Sequence, residues 1–186
     1  LQTGEAINAG KTDRVIIGLA IPTNPVAYAV IETNNLLIFN PWQTSSLISR
    51  PITGLQMGES ILGIDMRPTT GQLFALGSTS RLYTINTASG AATMVGAGAF
   101  TPALIGTSFG FDFNPTVDRI RVVSNTGQNL RLNPVTGTVA ATDMNLNPGM
   151  PAIDAVAYTN NFPGATTTVL YDIDYASDNL SIQNPP

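Results

Sequence analysis

Three aspartates in similar strand-like runs are the residues of this sequence best suited to chemistry. Asp65 lies in Leu62-Gly-Ile-Asp-Met, Asp112 lies in Phe109-Gly-Phe-Asp-Phe, and Asp154 lies in Ile153-Asp-Ala-Val. A ring of carboxylates could bind Ca²⁺, which takes about six to eight oxygen ligands, and the ion could polarise a substrate carbonyl. These residues therefore suggest a calcium-dependent hydrolase or lactonase-like site.

A structural role for the same aspartates is the alternative, and we favour it. Aspartate side chains often accept hydrogen bonds from backbone N–H groups in a neighbouring turn. The corresponding position nearer the N-terminus is Leu19, so a carboxylate ring would be incomplete. Calcium stays as the one candidate cofactor, with no cofactor as the favoured expectation.

Few other kinds of catalytic site are compatible with this sequence. The sequence has no histidine and no cysteine, which excludes Ser-His-Asp and Cys-His nucleophile systems and the usual zinc sites. Asp172 and Asp174 lie two apart on a predicted strand and so face the same way, with Asp178 in the turn that follows. Their spacing lacks the oxygen-rich series of an EF-hand loop, so we expect solvent exposure beside a turn rather than a cation site. No residue is assigned a catalytic role, and the chain is expected to be non-enzymatic.

Composition limits the partners. The net charge is −4, and the single lysine and seven arginines are scattered, so clustered phosphate contacts with nucleic acid are not expected. No apolar run reaches the length of about 18 residues that a membrane-spanning helix needs, so no membrane insertion is expected. A Thr-, Asn-, Gly- and Ala-rich chain with 11% charged residues that begins at Leu1 is typical of a secreted bacterial protein with a processed N-terminus. We expect an extracellular or cell-surface location.

Two columns of turn residues show how the elements that carry the aspartates are arranged. Prolines that end a first strand recur at intervals of 46 and 47 residues, and asparagines that end a third strand recur at the same two intervals: Pro22, Pro68 and Pro115, and Asn40, Asn86 and Asn133. A fixed period of about 20 to 50 residues indicates a repeat architecture. The chain is therefore predicted to be built from repeated units.

Each unit contains four short strand candidates, most regularly in the second copy. Its runs start at Ile61, Gln72, Arg81 and Ala91 and are separated by turn-forming residues that include Asn, Pro and Gly, as in hairpin connections. Repeated four-stranded antiparallel meanders are the signature of β-propeller blades, whose first strands line a central channel. The predicted fold is all-β, a β-propeller-like array with three complete copies and an incomplete fourth.

The predicted boundaries follow from these repeats. Residues 1–14 carry no periodicity and are assigned to an N-terminal arm. Residues 15–186 form a single repeat domain, with copies at about 15–57, 58–104, 105–150 and 151–186.

Several of these runs carry a resemblance to a known family: Leu62-Gly-Ile-Asp-Met-Arg-Pro, Gly71-Gln-Leu-Phe-Ala-Leu-Gly, Arg81-Leu-Tyr-Thr-Ile-Asn, Gly110-Phe-Asp-Phe-Asn-Pro, Asp118-Arg-Ile-Arg-Val-Val-Ser, Gln128-Asn-Leu-Arg-Leu-Asn-Pro and Leu170-Tyr-Asp-Ile-Asp. From about Val15 to Pro186 the chain resembles the secreted bacterial domain-of-unknown-function 4394 family. The resemblance implies secretion and propeller-like repeats. The family has no established activity, so the resemblance implies no catalytic residues.

The third strand of the fourth copy suggests a function. In the first three copies a fourth strand follows the third after a short turn, whereas Leu180, Ser181 and Ile182 would have an outer edge without such a partner. Unpaired strand edges recruit other strands unless charge or proline blunts them. We therefore expect a structural or adhesive module that self-associates through this edge into homo-oligomers or homopolymers, including extracellular filaments.

Overall fold

The structure is a computed structural model in which residues 25–184 are described. These residues form strands and turns without a helix, so no helix in this range could cross a membrane. The strands are β1 (Ala27–Ile31), β2 (Asn35–Asn40), β3 (Gln43–Pro51), β4 (Ile61–Met66), β5 (Leu73–Gly77), β6 (Arg81–Ile85), β7 (Ala92–Val95), β8 (Phe109–Asn114), β9 (Arg119–Ser124), β10 (Asn129–Leu132), β11 (Val139–Thr142), β12 (Ile153–Tyr158), β13 (Leu170–Asp174) and β14 (Asn179–Gln183).

The strands form four antiparallel meanders in chain order. The first sheet contains β1 to β3, the second β4 to β7, the third β8 to β11 and the fourth β12 to β14. This confirms the all-β, propeller-like array of meander blades and the strand content of the second, third and fourth copies. The predicted arm at residues 1–14 and the predicted first strand of copy one, which begins at Val15, lie outside the described residues.

The asparagine column is explained by the turn between the third and fourth strands. The Asn86 side-chain oxygen accepts hydrogen bonds from the backbone N–H groups of Ala88 and Ser89 at 2.9 and 3.1 Å. Asn133 does the same for Val135 and Thr136 at 2.9 and 3.3 Å. The asparagine thus replaces missing backbone partners in the turn, which is why it recurs in each of the first three units.

The apolar core lies between neighbouring sheets. The segment β5 is buried along its whole length, because alternate side chains of a strand point to opposite faces and a sheet lies against each face. Phe74 and Leu76 pack towards the third sheet, whereas Leu73 and Ala75 pack towards the first. Each inner sheet is therefore held by apolar contacts on both sides.

The first strands of successive sheets come into close contact. A Cβ atom added to Gly63 of β4 would lie 2.8 Å from the Cβ of Phe111 in β8, and one added to Gly110 would lie 2.8 Å from a methyl group of Val156 in β12. These distances are shorter than van der Waals contact, so only glycine allows the strands to approach this far. The same strands carry the first two aspartates of the predicted column.

Candidate functional site

Asp65 and Asp112 connect one sheet to the next through backbone hydrogen bonds. Asp65 accepts hydrogen bonds from the N–H of Phe113 in the neighbouring sheet at 2.8 Å and from that of Met66 at 2.7 Å. Asp112 accepts a hydrogen bond from the N–H of Tyr158 in the following sheet at 2.7 Å. The favoured structural role is therefore observed, except that the donors lie in neighbouring first strands rather than in turns.

The two carboxyl groups also form a pair with each other. Burial and, to a smaller extent, the negative charge of Asp65 together raise the pKa of Asp112 to about 8. Burial also raises the pKa of Asp65, while a hydrogen bond from Asp112 lowers it. Two half-buried carboxyl groups in contact share one proton most readily, and Asp112 is the group that holds it.

This pair predicts how stability depends on pH. The pKa of Asp112 is about 8 in the folded protein against an ordinary value of 3.8, so the folded state keeps a proton that the unfolded state loses. The contribution is fully present below about pH 4 and is lost as the pH rises towards about 8, with a limiting slope of about 1.4 kcal/mol per pH unit. We expect Asp112→Asn, which keeps the acceptor for Tyr158 and a donor for Asp65, to reduce this slope.

Urea unfolding between about pH 5 and pH 8 measures the effect, since the midpoint shift gives the change in free energy. Asp178→Asn is the control, because this carboxylate is exposed in a turn and should leave the slope as it is in the parent. An Asp112→Asn variant with the parent slope would contradict the shared-proton pair.

Asp154 does not join the other two aspartates in a metal-binding group. Its Oδ1 atom is buried and accepts no hydrogen bond within residues 25–184. Over the same range, no three acidic side chains are grouped closely enough to hold a metal ion. The geometry thus offers no ring for Ca²⁺ from Asp65, Asp112 and Asp154, and calcium binding stays a prediction that the arrangement of these side chains does not favour.

A second polar cluster surrounds Arg121 in β9, which is only 2% exposed. Its guanidinium donates to the side-chain oxygens of Asn129 at 2.7 Å and Asp143 at 2.6 Å, and to the hydroxyl of Tyr158 at 3.3 Å. Arg131 donates two further hydrogen bonds to Asp143, at 2.9 and 2.7 Å. The cluster fastens the loop after β11 to the third sheet and places a fixed positive charge between the third and fourth sheets.

Sequence reasoning did not identify this cluster, although one signal was present. In the second strands of the second and third sheets, Phe74 lies opposite Asp65 and Arg121 lies opposite Asp112. An apolar and a basic residue thus occupy equivalent places in strands that are largely buried on both faces. A charge in a buried column of a repeat needs a partner, which would have directed attention to Arg121.

Asp172 lines a cleft of about 810 Å³ between the third and fourth sheets. One wall is the loop from Asp143 to Pro151, and the other is formed largely by β14 and the turn before it. Burial raises the pKa of Asp172 to about 6, and the charge of Arg121 acts in the opposite direction. The side chain is therefore a carboxylate that has lost most of its water and keeps its charge at neutral pH.

The expectation that Asp172 would be exposed to solvent was wrong. The side chain is only 4% exposed, because its face of β13 is turned towards the third sheet rather than outwards. Asp174 is half-buried and accepts hydrogen bonds from the backbone N–H groups of Ala152 and Ala176 at 3.2 and 3.1 Å. Asp178 is exposed in the turn, as expected.

The predicted self-association edge, Leu180 to Ile182, lies in β14. Among the described strands, β14 pairs only with β13, and Leu180 and Ile182 are 68% and 61% exposed. Leu180 lies opposite Ile173, which is 48% exposed, and both face away from the side on which Asp172 lies. The fourth sheet thus has an apolar outer face that no other described sheet covers.

Comparison with known proteins gives a family and little else. No curated protein matches the chain. The crystal structure of BamB from Moraxella catarrhalis is similar over 84% of this chain and 48% of that chain, with 12% identity and a TM-score of 0.42. The chain thus spans about half the length of that protein. The family model described as a domain of unknown function, DUF4394, matches residues 35–186, and the chain belongs to this family.

Proposed function

We propose that this protein is a structural or adhesive module at the cell surface or outside the cell that self-associates head to tail. The observation that carries the proposal is the uncovered apolar face and edge of the fourth sheet, formed by Ile173, Leu180 and Ile182. In the second sheet, residues on the corresponding face, Leu76 and Leu82, are fully buried because the third sheet covers them.

A second copy of this chain is the occupant that the repeat favours. Leu36 of the first sheet packs towards the second sheet, so Leu37, the next residue in the strand, points to the opposite face. Leu47 lies on that same face, because it pairs with Phe39, two residues after Leu37. Leu47 is 52% exposed, and no other described sheet covers that face. The two end sheets therefore carry different apolar faces, and contact between different faces gives rings or filaments rather than closed two-fold dimers.

The orphaned acceptor on Asp154 supports the same proposal. Asp65 and Asp112 each accept a backbone N–H from the first strand of the following sheet, whereas the buried Oδ1 of Asp154 has no donor among residues 25–184. A buried carboxylate oxygen without a donor is costly. A strand of a second copy that docks beside the fourth sheet would supply one.

Charging the apolar edge should abolish assembly. We expect the double variant Leu180→Lys and Ile182→Lys to shift a concentration-dependent oligomer to monomer, since exposed lysines on an edge strand repel an incoming strand. Sedimentation velocity over a dilution series measures this shift, and negative-stain microscopy shows whether rings or filaments are lost with it.

The matched control is the double variant Val117→Lys and Val135→Lys. These valines are 56% and 69% exposed in turns of the third copy, so the change in charge and in exposed apolar surface is similar. The control should assemble like the parent protein. A parent that sediments as a monomer at every concentration, or a control that loses assembly to the same degree, would refute the proposal.

A further inference from the structure

The cleft between the third and fourth sheets has an unbalanced set of polar groups. Its lining includes three carboxylates, Asp143, Asp172 and Asp174, and contains no lysine or arginine. Arg121 and Arg131, which lie outside the lining, form ion pairs with Asp143. Asp174 accepts hydrogen bonds from backbone N–H groups. The charge of Asp172 is left without a direct partner.

Asp172 accepts no hydrogen bond from any described residue. Its Oδ1 atom is buried, and the residue as a whole is only 4% exposed. The three hydrogen bonds donated by Arg121 go to Tyr158, Asn129 and Asp143, and none goes to Asp172. Buried charges in proteins are normally paired or bind an ion, so the carboxylate is arranged for a donor that comes from outside.

A second orphaned acceptor faces the same space. Gln183 lines the cleft, and its Oε1 atom is buried without a partner. Ser181 is the register partner of Asp172, and Gln183 lies two residues further along β14. Residues two apart in a strand share a face, so Gln183 and Asp172 present their oxygens to one side of the sheet.

These acceptors and the apolar walls define the chemistry of the ligand. An ammonium group offers three donors and no acceptor, which complements a carboxylate oxygen beside an amide oxygen. Leu146, Pro148 and Ile153 line the cleft around them and would contact an aliphatic chain. A metal ion fits less well, because no three acidic side chains are grouped to bind one within residues 25–184.

We propose that this cleft binds an alkylammonium group, carried by a free aliphatic amine or by a lysine side chain, with Asp172 as its counter-ion and Gln183 as a second acceptor. All lining residues come from one chain, so the cleft does not need a second copy to be complete, although Ser181 and Ile182 of β14 belong both to its lining and to the proposed self-association edge. A failure of assembly would leave this site intact, and a failure of amine binding would leave assembly intact.

Ligand titrations followed by protein NMR test the site. The probes are n-pentylamine for a free amine, Nα-acetyl-lysinamide for a lysine side chain, and 1-pentanol as an uncharged molecule of the same length. We expect at least one of the two ammonium probes to bind, and 1-pentanol to bind at least about tenfold more weakly, since an unpaired buried charge discriminates strongly. The relative affinity of the two ammonium probes identifies the source that the cleft accepts.

Asp172→Asn is the decisive variant, because it keeps the shape of the side chain and removes its charge. We expect it to weaken binding of the ammonium probe at least about tenfold. Asp178→Asn removes the same charge from the turn beside the cleft, outside the lining, and should bind like the parent. Equal binding by Asp172→Asn and the parent, or equal binding of pentanol and pentylamine, would overturn the proposal.

A second variant keeps the test conclusive if Asp172→Asn fails to fold. Ser177 is exposed and lines the cleft, so Ser177→Lys would place a tethered ammonium group at its mouth without changing the core. We expect this variant to bind pentylamine several-fold more weakly than the parent through competition. Unchanged affinity would count against the proposal.

Discussion

Replacing Phe113 with alanine should lower the free energy of unfolding by about 3–5 kcal/mol. Phe113 is fully buried between the second and third sheets, and its ring meets that of Phe74 edge to face, with 5.1 Å between the ring centroids. Such aromatic pairs add about 0.5–1.5 kcal/mol beyond burial. Because a domain is stabilised by only about 5–15 kcal/mol in total, this one change should remove a large share of the stability.

Urea unfolding followed by circular dichroism is the suitable measurement. The single tryptophan, Trp42, is 82% exposed and would report poorly on the core by fluorescence. Phe162→Ala is the control, since Phe162 lies in a loop and is 54% exposed; we expect a change within about 0.5 kcal/mol. A loss below about 1 kcal/mol for Phe113→Ala would mean that the two sheets do not depend on this contact.

Arg121→Ala should destabilise the fold by a similar amount, about 3–5 kcal/mol, because removing one partner of a buried ion pair leaves the other groups uncompensated. The substitution removes three hydrogen bonds and the positive charge that pairs with Asp143 and favours the charged form of Asp172. Thermal or urea unfolding at neutral pH measures the loss.

Arg131→Ala provides an internal comparison, because Arg131 donates to the same carboxylate. Its side chain is 43% exposed against 2% for that of Arg121, and exposed ion pairs contribute about 0–1 kcal/mol. The difference between the two variants therefore measures the effect of burial on one shared partner, Asp143. Equal losses would show that the buried cluster does not stabilise the join between loop and sheet.

The repeat columns were sufficient to predict the strands. A turn asparagine that bonds its own following backbone and a proline after the first strand have local causes, so Asn86, Asn133 and Pro115 mark strand ends wherever the unit recurs. The alternation of apolar residues from Phe109 to Phe113 also predicted that the segment containing Asp112 is a strand. These features depend on neighbours in sequence, which is why the sequence alone contains them.

The cleft could not be predicted in the same way. It exists because the loop from Asp143 to Pro151 folds beside a different sheet, and because Asp172 occupies the second-strand position that holds Ala75 in the second sheet and Val122 in the third. A repeat pattern describes what the copies share, whereas this site arises where two copies differ. The burial of Asp172 depends on which face meets the neighbouring sheet, and that requires the packing of the sheets to be known.

The hydrogen bonds from Asp65 to Phe113 and from Asp112 to Tyr158 also affect how such a protein can change over evolutionary time. The third unit brings both an acceptor for the unit that follows it and a backbone donor for the unit that precedes it. A duplicate of this unit would therefore arrive with both halves of its junctions, and stability in such arrays grows roughly as a sum over units and neighbouring interfaces. Gain or loss of a whole unit should be tolerated more readily than a substitution at either aspartate.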